Sequence, residues 1–295
     1  MQLSDNLDLT VIIPTKNRSI FLNRLLESLS NQNINSKIKC VISDNNSSDS
    51  TKEIVNKWKE NDKLEIIFIE NKESISLLEN WKILVDNVNT KYSKFIFDDD
   101  WLEDNCLGEM LSILNNYDTE VVISNFNVIE EDDKHNYSKV RKSYIKSDSR
   151  YLTKDDILNF YLLKGPVQNV SPSGSMYKTE ILKEAFNLGL TNKNICTEKG
   201  IGIDLIMNFY PLFATGKQIF FTSDSLVNYS AHDDSITVKT DVKETFYCYL
   251  DSLIFLIDNF KTSLTLKQSF ALKKKILVKK TRKIINSKKT HISYD

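Results

Sequence analysis

Three consecutive carboxylates, Asp98, Asp99 and Asp100, follow the apolar stretch SKFIF and precede WLEDN. Adjacent anions repel one another and resist desolvation, so such a run at the end of a buried segment calls for a compensating cation. Oxygen ligands from a short acidic loop suit Mg²⁺ or Mn²⁺, which retain waters and share their coordination with substrate phosphates. That chemistry points to a nucleotide or sugar-nucleotide substrate. A solvated acidic turn is the plainer alternative.

The elements around this loop must bring it to a ligand. LTVIIP (9–14) reads as a buried strand, and Leu22, Leu25, Leu26 and Leu29 then fall on one helical face. IKCVISD (38–44) is a second strand, followed by the loop NNSSDS and a helix marked by Ile54, Val55 and Trp58. LEIIFIE (64–70) is a third strand, and Leu77, Leu78, Trp81, Leu84, Val85 and Val88 space a third helix. KFIF (94–97) is a fourth strand that runs into the aspartates. Serial β-α-β-α predicts an α/β fold with a mostly parallel sheet and helices on both faces. Ligands of such sheets bind beyond the carboxyl ends of the strands. Three of those ends are polar: Thr15 to Arg18, Asp44 to Asn46, and Asp98 to Asp100. Neither GxGxxG nor GxxxxGK[ST] occurs, and a chain with seven glycines is poorly equipped for a dinucleotide fingerprint or a P-loop. The glycine-free first turn also weighs against a sugar nucleotidyltransferase, whose triphosphate needs close backbone approach.

The 295 residues are 41% hydrophobic and 27% charged, enough for one large domain with an appendage. Cys40, Cys106, Cys196 and Cys248 form no CxxC pair, which argues against a zinc site or a disulfide framework and fits a reducing cytosol. The N-terminal MQLSDNLDLT lacks a basic and an apolar signal region, and apolar runs such as Leu253 to Ile257 are too short to span a bilayer. A cytoplasmic protein is expected. The net charge of -1 hides an asymmetry: the last 35 residues carry eleven Lys and Arg against one acid, and the first 260 carry 28 basic and 39 acidic groups.

LTVIIPTKNR, VISDNNSSDST and FIFDDDWLEDN together resemble the successive signatures of family 2 glycosyltransferases, which have the GT-A fold. The resemblance is strong over residues 8 to 115 and continues to about 237 through GIGIDLIMNF and LVNYSAHDDSIT. It implies a GT-A domain over 1–237, with a nucleotide-sugar half (1–115) and an acceptor half (116–237), and a helical, basic extension over 238–295. Carried onto this chain, it implies that Pro14, Thr15, Asn17, Arg18, Asp44 and Asn46 hold the nucleoside. Asp44 would accept a base N–H, with a turn or capping role as its alternative. Asp98 or Asp100 would meet the ribose or the metal, and Asp99 is the first choice as metal ligand. The three-aspartate run departs from the family's DxD form and leaves the frame open. His232, in YSAHDDSIT, would contact the diphosphate or join Asp99 and Asp100 on a Mn²⁺ or Mg²⁺ ion. Asp204 stands where the family puts the base that takes the acceptor's proton, with Glu198 behind it; a helix first-turn acid is its alternative. Asp49 is expected to cap the second helix.

Elsewhere, Glu130 to Arg150 reads as a polar insertion or lid. Thr153 and Asp156 form a capping box, and Gly174 and Ser175 in SPSGSMYK fall where the family approaches its acceptor. In the tail, Phe270, Leu277 and Ile284 recur every seven residues among lysines. Such a helix can lie on an anionic bilayer or pack on an acidic core. The basic segment lacks interleaved aromatics, so nucleic acid is not an expected partner. The resemblance thus implies an inverting enzyme that moves a sugar from a UDP-linked donor to a glycan or lipid-linked glycan in lipopolysaccharide or capsule synthesis. It would sit in the cytoplasm or at the inner face of the cell membrane. A silent sugar-nucleotide-binding module and a nucleotidyltransferase are the competing readings.

Overall fold

The computed structural model describes residues 7–131, 137–142, 147–164, 171–194, 199–232 and 241–291. Its first half alternates as the periodicity predicts: β1 (Leu9–Thr15), α1 (Ser19–Ser30), β2 (Ile38–Asp44), α2 (Thr51–Trp58), β3 (Leu64–Glu70), α3 (Leu77–Asp86) and β4 (Tyr92–Phe95). The strand before the aspartates therefore starts and ends two residues earlier than KFIF suggests, and Ile96 and Phe97 lead out of the sheet. Every residue of β1 is buried, as a central parallel strand covered on both faces requires. The leucine face of α1 is fully buried. A Ser76/Glu79 capping box starts α3.

Then follow β5 (Trp101–Leu102), α4 (Cys106–Asn116), β6 (Val121–Glu131), β7 (Tyr137–Lys142), β8 (Arg150–Leu152), α5 (Lys154–Leu163), β9 (Ser175–Lys178), α6 (Thr179–Leu190), α7 (Ile203–Ala214), β10 (Ile219–Ala231), α8 (Val242–Asn259) and α9 (Leu266–His291). One mixed sheet runs β3-β2-β1-β4-β9-β6-β10-β5, with β7 also on β6 and β8 also on β10. The long pairings, β1 with β2 and β4, β2 with β3, and β6 with β10, are parallel; short antiparallel pairs join them. The predicted capping box at Thr153 and Asp156 starts α5.

The expected insertion at 130–150 needs correcting. Within it, Tyr137–Lys142 forms β7, antiparallel to β6, through backbone pairing that a polar composition does not announce. The C-terminal extension is joined to the body: Leu250, Leu253, Leu256 and Ile257 of α8 are buried in the same core cluster as Trp81, Phe95 and Phe209. Among the described residues no helix is long and apolar enough to cross a membrane, and Cys40, Cys106 and Cys248 are free thiols.

Candidate active site

The carboxyl ends of β1, β2 and β4 meet at one rim. In the first two, Thr15 and Asp44 are in register, and their loops are tied together. Asn17, in the left-handed region at φ 52°, donates its backbone N–H to Ser47 Oγ at 2.8 Å and accepts from Ser48 N at 2.7 Å. Asp44 Oδ2 accepts from Ser47 N at 3.1 Å, and its Oδ1 takes the Ser47 hydroxyl. Asp49 accepts the backbone N–H of Thr51 at 3.1 Å and that of Ser19 at 2.9 Å, so it joins the starts of α2 and α1.

The acidic loop is gripped from α1. Arg18 Nη1 lies 2.9 Å from both Asp98 Oδ1 and Asp99 Oδ2. Arg24, one and a half turns on, donates to the Asp99 carbonyl and to Glu131 Oε1, each at 2.7 Å, and stacks 3.9 Å over Trp101. From the far side, β5 pairs with β10 at Val227 and Asn228, and β10 then delivers its last residues to the loop. Ser230 N donates to Asp100 Oδ1 at 3.3 Å. His232 Nε2 lies 3.2 Å from Asp99 Oδ2, with its ring stacked on Phe21.

Burial pushes Asp98 up to about 6, with the Arg18 charge working against that rise and Asp99 adding to it. Burial and the neighbouring Asp99 drive Asp100 well above the carboxylate range. At Asp99 burial is outweighed by the hydrogen bond from His232 and the Arg18 charge, so its pKa falls. Burial opposes the Arg18 charge, but the three carboxylates more than restore it. The buried Asp98 Oδ2 and Thr15 Oγ1 lie near one another, and neither completes a hydrogen bond by geometry. The loop thus holds one ionised carboxylate between two nitrogen groups and two others whose burial outweighs the positive charge near them.

A cleft of about 670 Å³ opens on this loop. Pro14, Thr15, Lys16, Arg18 and Asn45 line it from the strand ends, Leu77, Asn80 and Trp81 from α3, and Asp98 to Asp100 from the acidic loop. Tyr229, Ser230 and Ala231 come from β10, and Asp204 and Tyr249 from α7 and α8. Asn17, Asp44 and Asn46 are not among the lining residues: Asn17 and Asp44 tie the loops together, Asn46 is exposed at φ 59°, and His232 reaches the cleft through Asp99.

Asp204 is built differently. Its Oδ1 accepts the backbone N–H of Gly202 at 2.8 Å and of Leu205 at 2.9 Å, which is the helix-start role open to it as an alternative. Its Oδ2 accepts from the Tyr249 hydroxyl at 2.8 Å. Burial raises its pKa to about 6 against the pull of these three donors. A buried carboxylate that titrates near neutrality can exchange a proton with a ligand in the cleft.

Two expectations need adjustment, and a third falls outside the described residues. Asp99 and His232 come together, but Asp100 turns to Ser230, and no group of three His, Cys, Asp or Glu among the described residues is placed to hold an ion. Gly174 and Ser175 are buried beneath the cleft, where Ser124 Oγ donates to the Gly174 carbonyl; the cleft is reached by Ser171 instead. Glu198 lies outside the described residues. Arg24 and Tyr249 are participants that spacing did not expose. Arg24 sits between buried Phe21 and Leu25, and a cation in that position implies an acidic partner. Tyr249 lies in an apolar helical run where nothing marks one ring from another.

Against known proteins, a family model described as "Glycosyl transferase family 2" matches residues 10–186. Among curated proteins, the abequosyltransferase RfbV of Salmonella typhimurium is 35% identical over 106 residues, which are 36% of this chain and 31% of RfbV. The match therefore spans about a third of that relative. Among solved structures, S. aureus TarS 1–349 in complex with UDP superposes with a TM-score of 0.63 at 18% identity, covering 90% of this chain and 69% of TarS. The same protein in complex with UDP-GlcNAc gives 0.65 at 17%, covering 90% and 70%. At that identity the likeness is one of fold, and it agrees with the GT-A architecture of a mostly parallel sheet flanked by helices. With the family model covering more than half of its length, the chain belongs to glycosyl transferase family 2.

Proposed function

We propose that the protein is an inverting glycosyltransferase that moves a sugar from a UDP-linked donor to a hydroxyl of a glycan or lipid-linked glycan during bacterial surface polysaccharide synthesis. One observation carries the reading: a single cleft joins a cation-gripped acidic loop to a buried carboxylate, Asp204, that among the described residues is held by neutral donors alone and has its pKa raised to about 6. The first suits a diphosphate, the second a proton. The RfbV relative supports sugar transfer in this setting, and the UDP and UDP-GlcNAc complexes of TarS support the donor class.

Residues 1–115 would hold the donor and 116–237 the acceptor, with 238–295 as the extension. Pro14, Thr15 and Arg18 line the donor side; Asn17 ties its loops together, with Asn46 exposed on one of them, and Asp44, in register with Thr15, would accept the imide N–H of uracil. A divalent ion, Mn²⁺ or Mg²⁺, fits at Asp99 and His232. Asp99 Oδ2 and His232 Nε2 lie 3.2 Å apart, and the imidazole would give up its hydrogen bond to Asp99 to present a bare Nε2 to the ion. Asp98, whose Oδ2 is unsatisfied, or Asp100 would meet the ribose. When bound, the ion would neutralise charge that grows on the departing diphosphate.

The chain's own residues supply the rest. The acceptor hydroxyl oxygen bonds to the anomeric carbon as the bond from that carbon to the phosphate oxygen breaks, and the electron pair leaves with the diphosphate. Asp204 Oδ2 takes the hydroxyl proton. Attack opposite the leaving group inverts the centre. The exposed lysines of α9 would hold the enzyme at the cytoplasmic face of an anionic membrane, near lipid-linked acceptors.

A panel of nucleotide sugars tests the activity. With Mn²⁺, UDP-sugars are expected to raise the melting temperature and to be hydrolysed slowly to UDP without pyrophosphate release. Pyrophosphate released from a nucleoside triphosphate would make the chain a nucleotidyltransferase. Binding without turnover of any donor would make it a silent module.

A further inference from the structure

The candidate base is not held by its own helix alone. Asp204 Oδ1 spends both lone pairs on the N–H groups of Gly202 and Leu205, which leaves Oδ2 as the oxygen able to receive a proton. Oδ2 in turn accepts from the Tyr249 hydroxyl at 2.8 Å, and both residues line the cleft. Tyr249 comes from α8, beyond the segment that the family model matches. Its approach depends on Gly202, whose φ of 105° suits glycine and whose missing Cβ leaves room for the Cys248 carbonyl and the Ser252 side chain. Cys248 is Tyr249's neighbour in the chain, so the contact that admits α8 also sets the phenol on the carboxylate.

Resting on the reading of Asp204 as the base, we infer that Tyr249 is a positioning residue for the reaction: its hydroxyl fixes the rotation of Asp204, stabilises its ionised form and leaves Oδ2 one lone pair for the acceptor proton. Among the described residues the surroundings offer no substitute. Tyr161 of α5 and Tyr177 of β9 face Asp204 as neutral phenols that repel its charge only if they ionise, and Cys248 lies beside Tyr249. Lys199 and Asp98 to Asp100 line the same cleft, yet no cation pairs with Asp204 among the described residues. Tyr249 has its own pKa raised well above the phenol range, chiefly by burial and then by the Asp204 charge, so it stays a donor wherever the base is ionised.

The sign of the effect follows. A hydrogen bond donated to a carboxylate favours the ionised form, so losing it raises the pKa of Asp204 above its value of about 6. The rate should therefore rise with pH through about 6 in the wild type. In Tyr249→Phe that acid limb should move up by about one pH unit, the scale of one charge-assisted hydrogen bond, giving a roughly tenfold loss near pH 6 that shrinks at high pH. The measurement is the pH profile of kcat for hydrolysis of UDP-GlcNAc, or of whichever UDP-sugar of the panel releases UDP fastest, with UDP affinity determined on the same protein. A purely packing role would scale the profile without moving it.

A ¹³C-carboxyl titration of Asp204, identified by its absence in Asp204→Asn, reads the same shift without turnover. If Tyr249→Phe does not fold, fluorotyrosine at position 249 is the second variant. Its more acidic hydroxyl donates more strongly and should move the limb down. An unmoved limb and an unmoved carboxyl titration in a folded variant overturn the role of Tyr249. Unchanged turnover in Asp204→Asn instead overturns Asp204 as the base, while a carboxyl shift in Tyr249→Phe would still stand.

Discussion

Around Asp98 to Asp100 the protein gathers nitrogen groups, with Arg18 2.9 Å from two of the carboxylates and His232 3.2 Å from one. Around Asp204, among the described residues, it gathers neutral donors: two backbone N–H groups and a phenol. The two centres share one cleft and nearly equal burial. A carboxylate held between a guanidinium and an imidazole, as Asp99 is, stays ionised and is fitted to electrostatic binding, whereas one held by neutral dipoles against a desolvation penalty sits near its titration point; Asp98, which shares Arg18, is carried up to about 6 by its burial. Asp99 and Asp204 fall on opposite sides of that division, with pKa values pushed down and up respectively. Separation of binding from proton transfer is what a group-transfer site needs.

The largest effect expected from breaking this comparison is at Asp204. Asp204→Asn keeps the side chain's shape and its Oδ1 acceptor, so nucleotide affinity should persist while transfer falls by about 100-fold or more. Turnover and calorimetric UDP affinity on one preparation would check it. A parallel fall in both would make Asp204 a binding or capping residue.

Asp99→Ala probes the other side. It should weaken UDP binding in Mn²⁺ by at least about tenfold, the scale on which metal-site partners act, with little change in EDTA. Equal losses under both conditions in a folded variant would remove the ion from the assignment.

How much of this the sequence disclosed differs between the same two centres. The acidic loop was legible because each of its contributors ends a strand of the serial β-α-β unit, where periodicity fixes direction and the ends converge by topology. Its compensation was legible only in part: Arg18 lies in the first turn and His232 at the end of a long strand, but Arg24 is a helix residue whose partners are distant in sequence. At Asp204 the carboxylate was marked by family resemblance alone. Tyr249 could not be, because its meeting with Asp204 depends on a close helix approach at Gly202, and apolar spacing reports that a face is buried, not what it meets. β7 escaped for a related reason, since its pairing is backbone to backbone.

The smallest effect concerns α9, where packing and membrane contact are the alternatives: its inner side packs on the body, and its outer side carries the exposed groups on which the second alternative is tested. On its inner side Gln268 donates to Asp155 and Asn159 at 3.1 Å, Lys279 pairs with Asp251, and Lys275 lies 4.8 Å over Phe246. Its outer side exposes Phe270 (73%) and Leu277 (65%) beside Lys273, Lys274 and Lys280. Deleting the whole tail would therefore disturb the body as well, and single changes on the outer side are the cleaner test. Each basic side chain near an anionic surface contributes about 1 kcal/mol, so Lys274→Ala should weaken pelleting with phosphatidylglycerol vesicles by about fivefold. Donor hydrolysis and melting temperature should not change, because Lys274 is exposed and makes none of these inner contacts. Raised salt should weaken the wild type in the same direction, as screening shortens the reach of the remaining lysines. Pelleting that ignores both the substitution and the salt would leave α9 with its packing role only.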